Sequence, residues 1–481
     1  MGQAGKRGTR NHRIHQARLR PHPMWANPKA VVGPDSDIAP VEPDPVLLKK
    51  TIEAMISGIG VDAWIERRDK IERELLEQTR DLEQHVDAPR LWFEDRIAWY
   101  LYLCELAISN PYSLPTYYSS RVLPFFSAIG SKLTFRDAVE GFQEKLDETM
   151  SKRRRDPDGH VFEMLVALSY AESGWYVEFI PEGPEKTPDL RVKQGEVELL
   201  VECKRQSSLS DYAGREEATW RRHWERAVGR ILSNRQWVWF DVVVHKELHL
   251  LPDDWFDSRL ARLLPLAQAE SGSSDEAATI RVRVIDKKPL HEDLQWSFVK
   301  AFGSKLRHLL GQDWVGENAV TSLLVEGKFA KTADDGVFSK FYDAVYWATG
   351  ATFACDAENS IETKARDVKS LVARAVAQLP EDAMSIVHVG LETLEGPGVE
   401  DRRMRKVIPS LEQMTRMKNV QGVVVHSFQP VDSVDQLVVI DEPFSDFWRR
   451  PALREHVPLM VALPAKFALT APLGKHWEIE R

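Results

Sequence analysis

The sequence predicts an α/β protein in which a helical N-terminal region precedes a mixed core and a further α/β region. Three patterns support this fold class: helical periodicity in residues 46–150, a strand–turn–strand alternation in residues 187–204, and alternating strand and helix patterns in residues 251–481. The chain has 481 residues, 43% of them hydrophobic, which is enough for two or three domains with buried cores.

Residues 1–45 are predicted to be a disordered basic tail followed by a linker. Residues 1–30 carry seven basic residues and no acid, although the whole chain has a net charge of -9. Such a segment cannot bury a core, and residues 31–45 add the prolines and acids that are typical of a linker. The tail either neutralises nucleic-acid phosphates or is solvated without a specific role, and the sequence leaves both readings open.

Residues 46–150 are predicted to be mainly helical. Apolar residues recur at helical spacing from Val46 to Gln84, with a break near Gly58, and indicate an amphipathic helical hairpin. A second helical block at residues 91–109 is rich in aromatic residues, and this spacing favours a core over a base-stacking surface. The basic run at residues 152–155 either contacts a DNA backbone or is a solvated helix end.

A β-hairpin predicted at residues 187–204 is the most informative feature of the chain. Polarity alternates along both strands, and Gly195 between them tolerates the positive φ of a tight turn. Alternation then puts Asp189, Glu202 and Lys204 on one face, while the other face is apolar and seals a core. In this register we expect Asp189 to lie diagonal to Glu202, at roughly 7–8 Å, a gap that a divalent cation bridges through the side chains.

This motif resembles that of the PD-(D/E)xK nuclease superfamily, which includes many restriction endonucleases and Mrr-type enzymes. The resemblance rests on Pro188, Asp189, Glu202, Cys203 and Lys204, and it covers about a fifth of the chain. It implies a restriction-endonuclease-like αβββαβ core at residues 151–250. It also implies a Mg²⁺-dependent endonuclease that hydrolyses phosphodiester bonds of DNA, with Mn²⁺ able to substitute.

The resemblance gives each residue of the motif a role. Asp189 and Glu202 would bind Mg²⁺ together with the main-chain carbonyl of Cys203, and Lys204 would orient or deprotonate the attacking water. The residue types fit this chemistry, since hard oxygen ligands select Mg²⁺ or Mn²⁺. The protonation state of Lys204 is not readable from the sequence, because a cation and carboxylates shift its pKa in opposite directions. The alternative is a surface hairpin with an ordinary Glu-x-Lys pair.

Two further residues are implied by the resemblance. Glu163 is the lone charge in the apolar helical run of residues 160–166 and corresponds to an acidic residue that often completes the site. Gln206 lies near the end of the same strand as Lys204 and matches a glutamine of some family branches.

The same Glu-x-Lys spacing occurs a second time, at Glu326-Gly327-Lys328, with Asp313 at the matching distance upstream. The context differs, because Asp313 follows a helical stretch and does not begin an alternating strand. We therefore expect the site at the first hairpin and a surface strand end at the second.

The predicted core runs in the order helix 159–173, strand 175–180, the two hairpin strands, helix 211–233 and strand 236–246. Helix 211–233 has an apolar stripe for packing on the sheet. Its arginines Arg215, Arg222 and Arg226 are expected to face outward, where they either position phosphates or form the solvated side of the helix.

Residues 251–481 are predicted to form an α/β region of unknown role, which either extends the core sheet or forms its own domain. His388 and His426 lie in apolar strands and are expected to be core histidines with partners. The predicted helices lie near residues 254–268, 292–310, 336–348, 360–379 and 401–417. The predicted strands lie at residues 278–285, 319–328, 384–391, 420–427 and 436–441.

The amino-acid composition restricts the cellular compartment and the binding partners that we expect. Three widely spaced cysteines exclude a disulfide framework and a Cys-x-x-Cys zinc site. No apolar run is long enough for a membrane span or a secretory signal, so a cytoplasmic protein without membrane contact is expected. The expected partner is nucleic acid, with DNA favoured; a homo-oligomer and a partner protein of a restriction or host-defence system are open alternatives. The competing hypothesis is an inactive nucleic-acid-binding or assembly protein that keeps the nuclease fold.

Overall fold

The computed structural model describes most of the chain between residues 44 and 463. The described residues are 44–79, 91–181, 183, 187–206, 211–266, 271–296, 299–311, 320–330, 337–365, 367–392, 398–399, 401–403, 405–406, 420–431 and 439–463. The predicted basic tail, Asp313 and most of the predicted helix at residues 401–417 lie outside the described residues.

The helices begin in the N-terminal region and recur between strands to the end of the chain. Helix α1 starts where Asp44 accepts a hydrogen bond from Val46 N at 2.7 Å and proline occupies the first turn. In chain order the α-helices are α1 Pro45–Ile56, α2 Val61–Thr79, α3 Arg96–Ser109, α4 Thr116–Ser119, α5 Leu123–Lys132, α6 Phe142–Ser151, α7 Asp158–Glu172, α8 Asp211–Asn234, α9 Trp255–Leu263, α10 Lys288–Trp296, α11 Ser304–Leu309, α12 Glu358–Lys364 and α13 Asp367–Gln378.

The strands form two mixed sheets, so the structure confirms a general α/β class. In chain order the strands are β1 Val139–Glu140, β2 Tyr176–Phe179, β3 Leu190–Gln194, β4 Val197–Gln206, β5 Val238–Val244, β6 Ser271–Ser274, β7 Ala278–Val284, β8 Val299–Lys300, β9 Val320–Phe329, β10 Phe341–Cys355, β11 Ser385–Glu392, β12 Val420–Val431, β13 Val439–Asp441 and β14 Phe444–Trp448.

The first sheet has the strand order β1-β2-β3-β4-β11-β12-β13, with β14 also paired to β12. Strands β2, β3 and β4 form an antiparallel meander, whereas β4, β11 and β12 run parallel to one another. Every residue of β11 is buried, as expected for a central parallel strand covered on both faces. The apolar side chains of β3 and β4 pack against the N-terminal helices and α7, and α13 packs on the other face of β11.

The second sheet has the order β6-β7-β5-β10-β8, with β9 also paired to β10. Only β5 and β10 pair in parallel among the described strands of this sheet. Helices α8 and α9 pack on one face through Trp220, Trp224 and Phe256, and α10 and α11 pack on the other through Leu290 and Leu306. In chain order, these elements lie between β4 and α13 of the first sheet.

The predicted core elements form in the predicted chain order, but the last two do not belong to the sheet of the hairpin. The helix at 211–233 and the strand at 236–246 form as α8 and β5, but they belong to the second sheet. The strand beside β4 is β11, which pairs with it from Leu200↔Ser385 to Gln206↔Leu391. The predicted boundary at residue 250 therefore does not follow the sheets, because residues from both sides of it contribute to each sheet.

The predicted helix near residues 336–348 is also wrong. This stretch contributes to β10, a long strand that pairs with β5 on one side and β9 on the other. Aromatic and β-branched residues such as Phe341, Tyr342 and Val345 favour a strand between two neighbours, and their helix-like spacing was the misleading signal. The predicted helix at 292–310 is interrupted by β8 and becomes α10 and α11.

A candidate carboxylate and lysine site on strand β4

The hairpin β3–β4 has the predicted turn and faces. Gly195 adopts φ +58° in a two-residue turn, and Leu190 pairs with Val201. Extending this register by one residue puts Asp189 directly opposite Glu202. The expected diagonal arrangement is therefore wrong by two residues of register, because the turn consists of Gly195 and Glu196 alone. Both carboxylates nevertheless share a face, as the alternation requires.

Just before β3 begins, the Asp189 side chain accepts a hydrogen bond from the main chain of β4. Its Oδ2 accepts a hydrogen bond from Cys203 N at 2.7 Å. In an antiparallel ladder the N–H and C=O of one residue point to the same neighbouring strand, so the Cys203 carbonyl faces the Asp189 side of β4. The thiol of Cys203 lies on the other face of the sheet, in the apolar core.

Glu202 and Lys204 form an ion pair at the same strand end. The Glu202 side chain is fully buried and that of Lys204 is 23% exposed, and Lys204 Nζ contacts Glu202 Oε1. The second oxygen, Glu202 Oε2, is buried and has no hydrogen-bond partner. A buried carboxylate oxygen without a partner is costly, so this atom favours a proton or a cation beside it.

Glu163 approaches the cluster from α7 and is paired with a residue that the sequence did not indicate. Lys145 of α6 forms an ion pair with Glu163, both side chains being 12% exposed, and its ammonium lies 5.4 Å from the ring centre of Phe179. The pair depends on how α6 and α7 pack together, and no local sequence pattern marks Lys145.

The shifted pKa values show that these groups act on one another. Burial and the charge of Asp189 raise the pKa of Glu163 from 4.5 to about 7, against the opposing effects of Lys145 and Lys204. Burial and Asp189 likewise raise the pKa of Glu202 from 4.5 to about 8, although Lys204 opposes the shift. Burial acts to lower the pKa of Lys204, but Glu202 and Asp189 outweigh it, so this pKa is raised. Two carboxyl groups with raised pKa values beside a third carboxylate are typical of functional sites.

The donor set suits a hard divalent cation, although the side chains as they stand do not form a closed metal cage. Within the described residues, no group of three or more His, Cys, Asp or Glu side chains is arranged to hold a metal ion. Glu202 Oε2, which has no hydrogen-bond partner among the described residues, and the mutual effect of three neighbouring carboxyl groups do fit a bound cation, which would favour the ionised form of both glutamates.

The remaining predicted site residues are Gln206, which lies on β4, and three arginines, which lie on α8. Gln206 ends β4 on the face of Glu202 and Lys204, and its Oε1 is buried without a hydrogen-bond partner. Arg215, Arg222 and Arg226 are exposed on α8, as expected, but α8 packs on the second sheet. Arg226 pairs with Asp253 at 2.9 Å, which leaves its guanidinium partly engaged.

His388 and His426 are core histidines with partners, as predicted. His388 Nδ1 lies 3.0 Å from His426 Nε2, and His388 Nε2 lies 3.1 Å from Tyr170 Oη. His426 Nδ1 lies 2.9 Å from Glu442 Oε1, and the Glu442 carboxylate accepts hydrogen bonds from three consecutive main-chain N–H groups at residues 461–463. Burial and His426 lower the pKa of His388, so this histidine stays neutral inside the chain of hydrogen bonds.

Comparison of the chain with protein-family models, curated proteins and solved structures finds no match. No helix in the described part of the chain is long and apolar enough to span a membrane.

Proposed function

We propose that this protein is a Mg²⁺-dependent endonuclease of DNA whose active site lies at the end of strand β4. The observation that carries the proposal is the cluster of Asp189, Glu202 and Lys204, joined by Glu163, with a buried carboxylate oxygen that has no protein partner. Phosphodiester hydrolysis needs positive charge at the phosphate and an activated water near neutral pH, and this residue set suits both needs.

The topology of the first sheet supports the proposal. Helix α7, the antiparallel strands β2 to β4, helix α13 and the parallel strand β11 follow one another in the order αβββαβ. This is the order of the PD-(D/E)xK core that the sequence resembles, except that the second sheet is inserted between β4 and α13. The final helix and strand of that core are thus proposed to be α13 and β11 rather than α8 and β5.

In this proposal Asp189, Glu202 and the main-chain carbonyl of Cys203 hold Mg²⁺ or Mn²⁺. The bound cation supplies Lewis acidity and a more acidic water. Lys204 directly follows Cys203 in the chain and is less buried than Glu202. Its ammonium group would orient the attacking water or the phosphate oxygen. Lys145 would hold the Glu163 carboxylate in place, and Glu163 would act as the auxiliary carboxylate of the site.

A DNA substrate is favoured by an exposed basic run that precedes the helix of Glu163 in the chain. Residues 151–156, which include Lys152, Arg153, Arg154 and Arg155, are all exposed and lie immediately before α7, the helix that carries Glu163. Exposed arginines and lysines contact phosphates without reading sequence. The exposed arginines of α8 would extend this contact surface.

The test is a cleavage assay on single-stranded, double-stranded, branched and methylated DNA and on RNA, with Mg²⁺, with Mn²⁺ and with a chelator. Wild-type protein is expected to cut DNA only with a divalent metal, and Asp189→Asn and Lys204→Ala are expected to abolish cutting while circular dichroism stays unchanged. Lys328→Ala, at the end of β9, is the matched control and should cut normally. Undiminished cutting by both site variants would overturn the assignment.

A binding or assembly protein without turnover is the second candidate. It is favoured by the pairing of Glu202 with Lys204 and by the lack of a closed three-carboxylate metal group among the described residues. This candidate predicts metal-independent DNA binding without cleavage of any substrate in the panel, and Lys204→Ala would then leave every measured property except local stability unchanged.

A further inference from the structure

Arg205 is a partly buried cation on the opposite face of β4 from Lys204. Its guanidinium carbon lies 4.7 Å from the ring centre of Phe125 and 4.3 Å from that of Phe428. Its Nη1 is buried and has no hydrogen-bond partner. Aromatic faces attract a guanidinium, but they accept none of the five N–H bonds that this group directs outward. The rings that pack against Arg205 therefore provide no hydrogen-bond acceptor for its buried Nη1 group.

Glu392 and Asp158 are the two carboxylates with the largest electrostatic effect on Arg205, and each of them already pairs with another arginine. Asp158 contacts Arg96 and accepts a hydrogen bond from Tyr100 Oη at 2.9 Å. Glu392 holds Arg121 through both carboxylate oxygens, the Nη2 to Oε2 distance being 2.7 Å. Across the described ranges, no carboxylate forms an ion pair with Arg205, so this guanidinium lacks a direct ion-pair partner.

A cavity lies beside this unpaired charge. Its wall includes Arg205, Arg121, Tyr100, Asp158, Phe125 and Phe162, and its volume is about 20 Å³. A cavity needs roughly 10–15 Å³ to hold a water molecule, so this one has room for a single small group beside the guanidinium. Gly390 lets β11 pack closely against the Arg205 side chain, because a Cβ there would lie 3.1 Å from Arg205 Cδ and 2.9 Å from the Phe428 ring.

We infer that this cavity is a binding site for one monatomic anion, chloride in a cell, held by Arg205 against the aromatic rings. A water molecule satisfies the N–H groups but leaves the charge uncompensated. In a partly buried site of low dielectric, a counter-ion stabilises a guanidinium far more than a neutral ligand does. Burial lowers the pKa of Arg205, yet an arginine remains protonated at neutral pH, so the need for an anion persists at all physiological pH values.

The first test measures thermal stability of the whole chain in sodium chloride, sodium bromide and sodium gluconate at equal ionic strength, with a chelator present to keep divalent metals out. Because a ligand that binds only the folded state raises its stability with concentration, chloride and bromide are expected to raise the unfolding temperature in a saturable manner. Gluconate, too large for the cavity, should not. Equal unfolding temperatures in all three salts would mean that the cavity holds water only, and would overturn the inference.

The second test assigns the effect to Arg205. Arg205→Met, which keeps the packing against both rings, is expected to remove the difference between chloride and gluconate. Arg230→Met is the control, because Arg230 pairs with Asp257 on the second sheet, and it should retain the difference. If Arg205→Met does not fold, crystals of the wild-type protein grown with bromide decide the question through anomalous scattering. A peak beside Arg205 supports the site, and its absence at a bromide concentration that stabilises the protein excludes it.

Discussion

The ends of strands β4 and β9 carry the same Glu-x-Lys spacing in different surroundings. At the end of β4 the Glu202 side chain is fully buried, whereas that of Glu326 near the end of β9 is 35% exposed. Lys204 is 23% exposed and Lys328 is 60% exposed. The spacing puts glutamate and lysine on one face in both strands. The motif alone therefore does not distinguish a buried candidate site from an exposed strand end.

The interaction between carboxyl groups separates the two strand ends. At β9, Glu326 pairs with Arg235 and Lys328 lies 3.3 Å from Asp343. At β4, Glu202 contacts Lys204 and Glu163 contacts Lys145, while burial and the charge of Asp189 raise the pKa of both glutamates. Buried carboxyl groups that repel one another are stabilised by protons or by a cation. Burial and repulsion between carboxyl groups, rather than spacing, therefore identify the candidate site.

The largest expected difference is in catalysis. Glu202→Gln keeps the shape of the side chain but removes a ligand charge, and we expect DNA cleavage to fall on the order of 10²- to 10³-fold. Glu326→Gln makes the same change at β9 and is expected to leave the rate within twofold of wild type. Single-turnover cleavage rates with Mg²⁺ measure both. Equal losses in the two variants would remove the distinction between the strand ends.

The second expected difference is in how stability depends on pH without metal. The folded-state pKa values of Glu163 and Glu202 are raised from 4.5 to about 7 and about 8. The stability that the two protonated groups contribute is therefore fully present below pH 4.5 and is lost as pH rises through these values. Between those limits each group lowers the free energy of unfolding by up to about 1.4 kcal/mol per pH unit.

Urea unfolding from pH 5 to pH 9 measures this slope. Glu202→Gln should flatten it, Glu326→Gln should keep the wild-type slope, and saturating Mg²⁺ should flatten it in the wild-type protein because the cation favours the ionised glutamates. A wild-type slope in Glu202→Gln would show that this carboxyl group is ionised in the folded protein well below pH 8.

A smaller difference is expected between two lysine pairs. Lys145→Met leaves Glu163 without its partner in a mostly buried position and should lower the free energy of unfolding by about 1–3 kcal/mol near pH 8. Lys193→Met removes a pair with Glu198 in which both side chains are about half exposed, and it should cost under about 1 kcal/mol. Chemical denaturation of both variants checks the ranking, which would be refuted by a larger loss for Lys193→Met.

The smallest expected effect concerns the arginines of α8. Replacing Arg215, Arg222 and Arg226 with alanine should weaken DNA binding uniformly across sequences. It should also reduce the slope of log affinity against log salt by up to about 1 for each phosphate that these arginines neutralise. Fluorescence anisotropy at several salt concentrations measures this slope. An unchanged slope would assign these residues to the solvated side of the helix.

The sequence predicted the parts of the candidate site that are close together along the chain. Alternation about Gly195 was enough to bring Asp189, Glu202 and Lys204 to one face, because a short hairpin leaves few alternative registers. The exact pairing of Asp189 with Glu202 depended on the number of turn residues, and there the predicted register was off by two residues. Lys145 was missed because its partner lies on another helix.

The strand beside β4 was the part of the fold that local patterns did not determine. Residues 238–244 and 385–392 are both apolar and both suit a central strand. Parallel pairing is decided by contacts between distant segments, and the nearer strand in sequence was not the one that pairs. Residues 341–355 show the same limit, because neighbours on both sides favour a strand where the apolar spacing indicated a helix.

The insertion between β4 and α13 has a consequence for the order of folding during synthesis. Strand β4 leaves the ribosome long before Ser385, so one side of the candidate site stays unpaired until β11 is made. Closing so long a loop is slow, and the open edge of β4 is prone to pairing with other chains. If the second sheet folds first, it brings the end of β4 and the start of α13 closer together, and the first sheet is completed only after β11, β12 and β14 have been made.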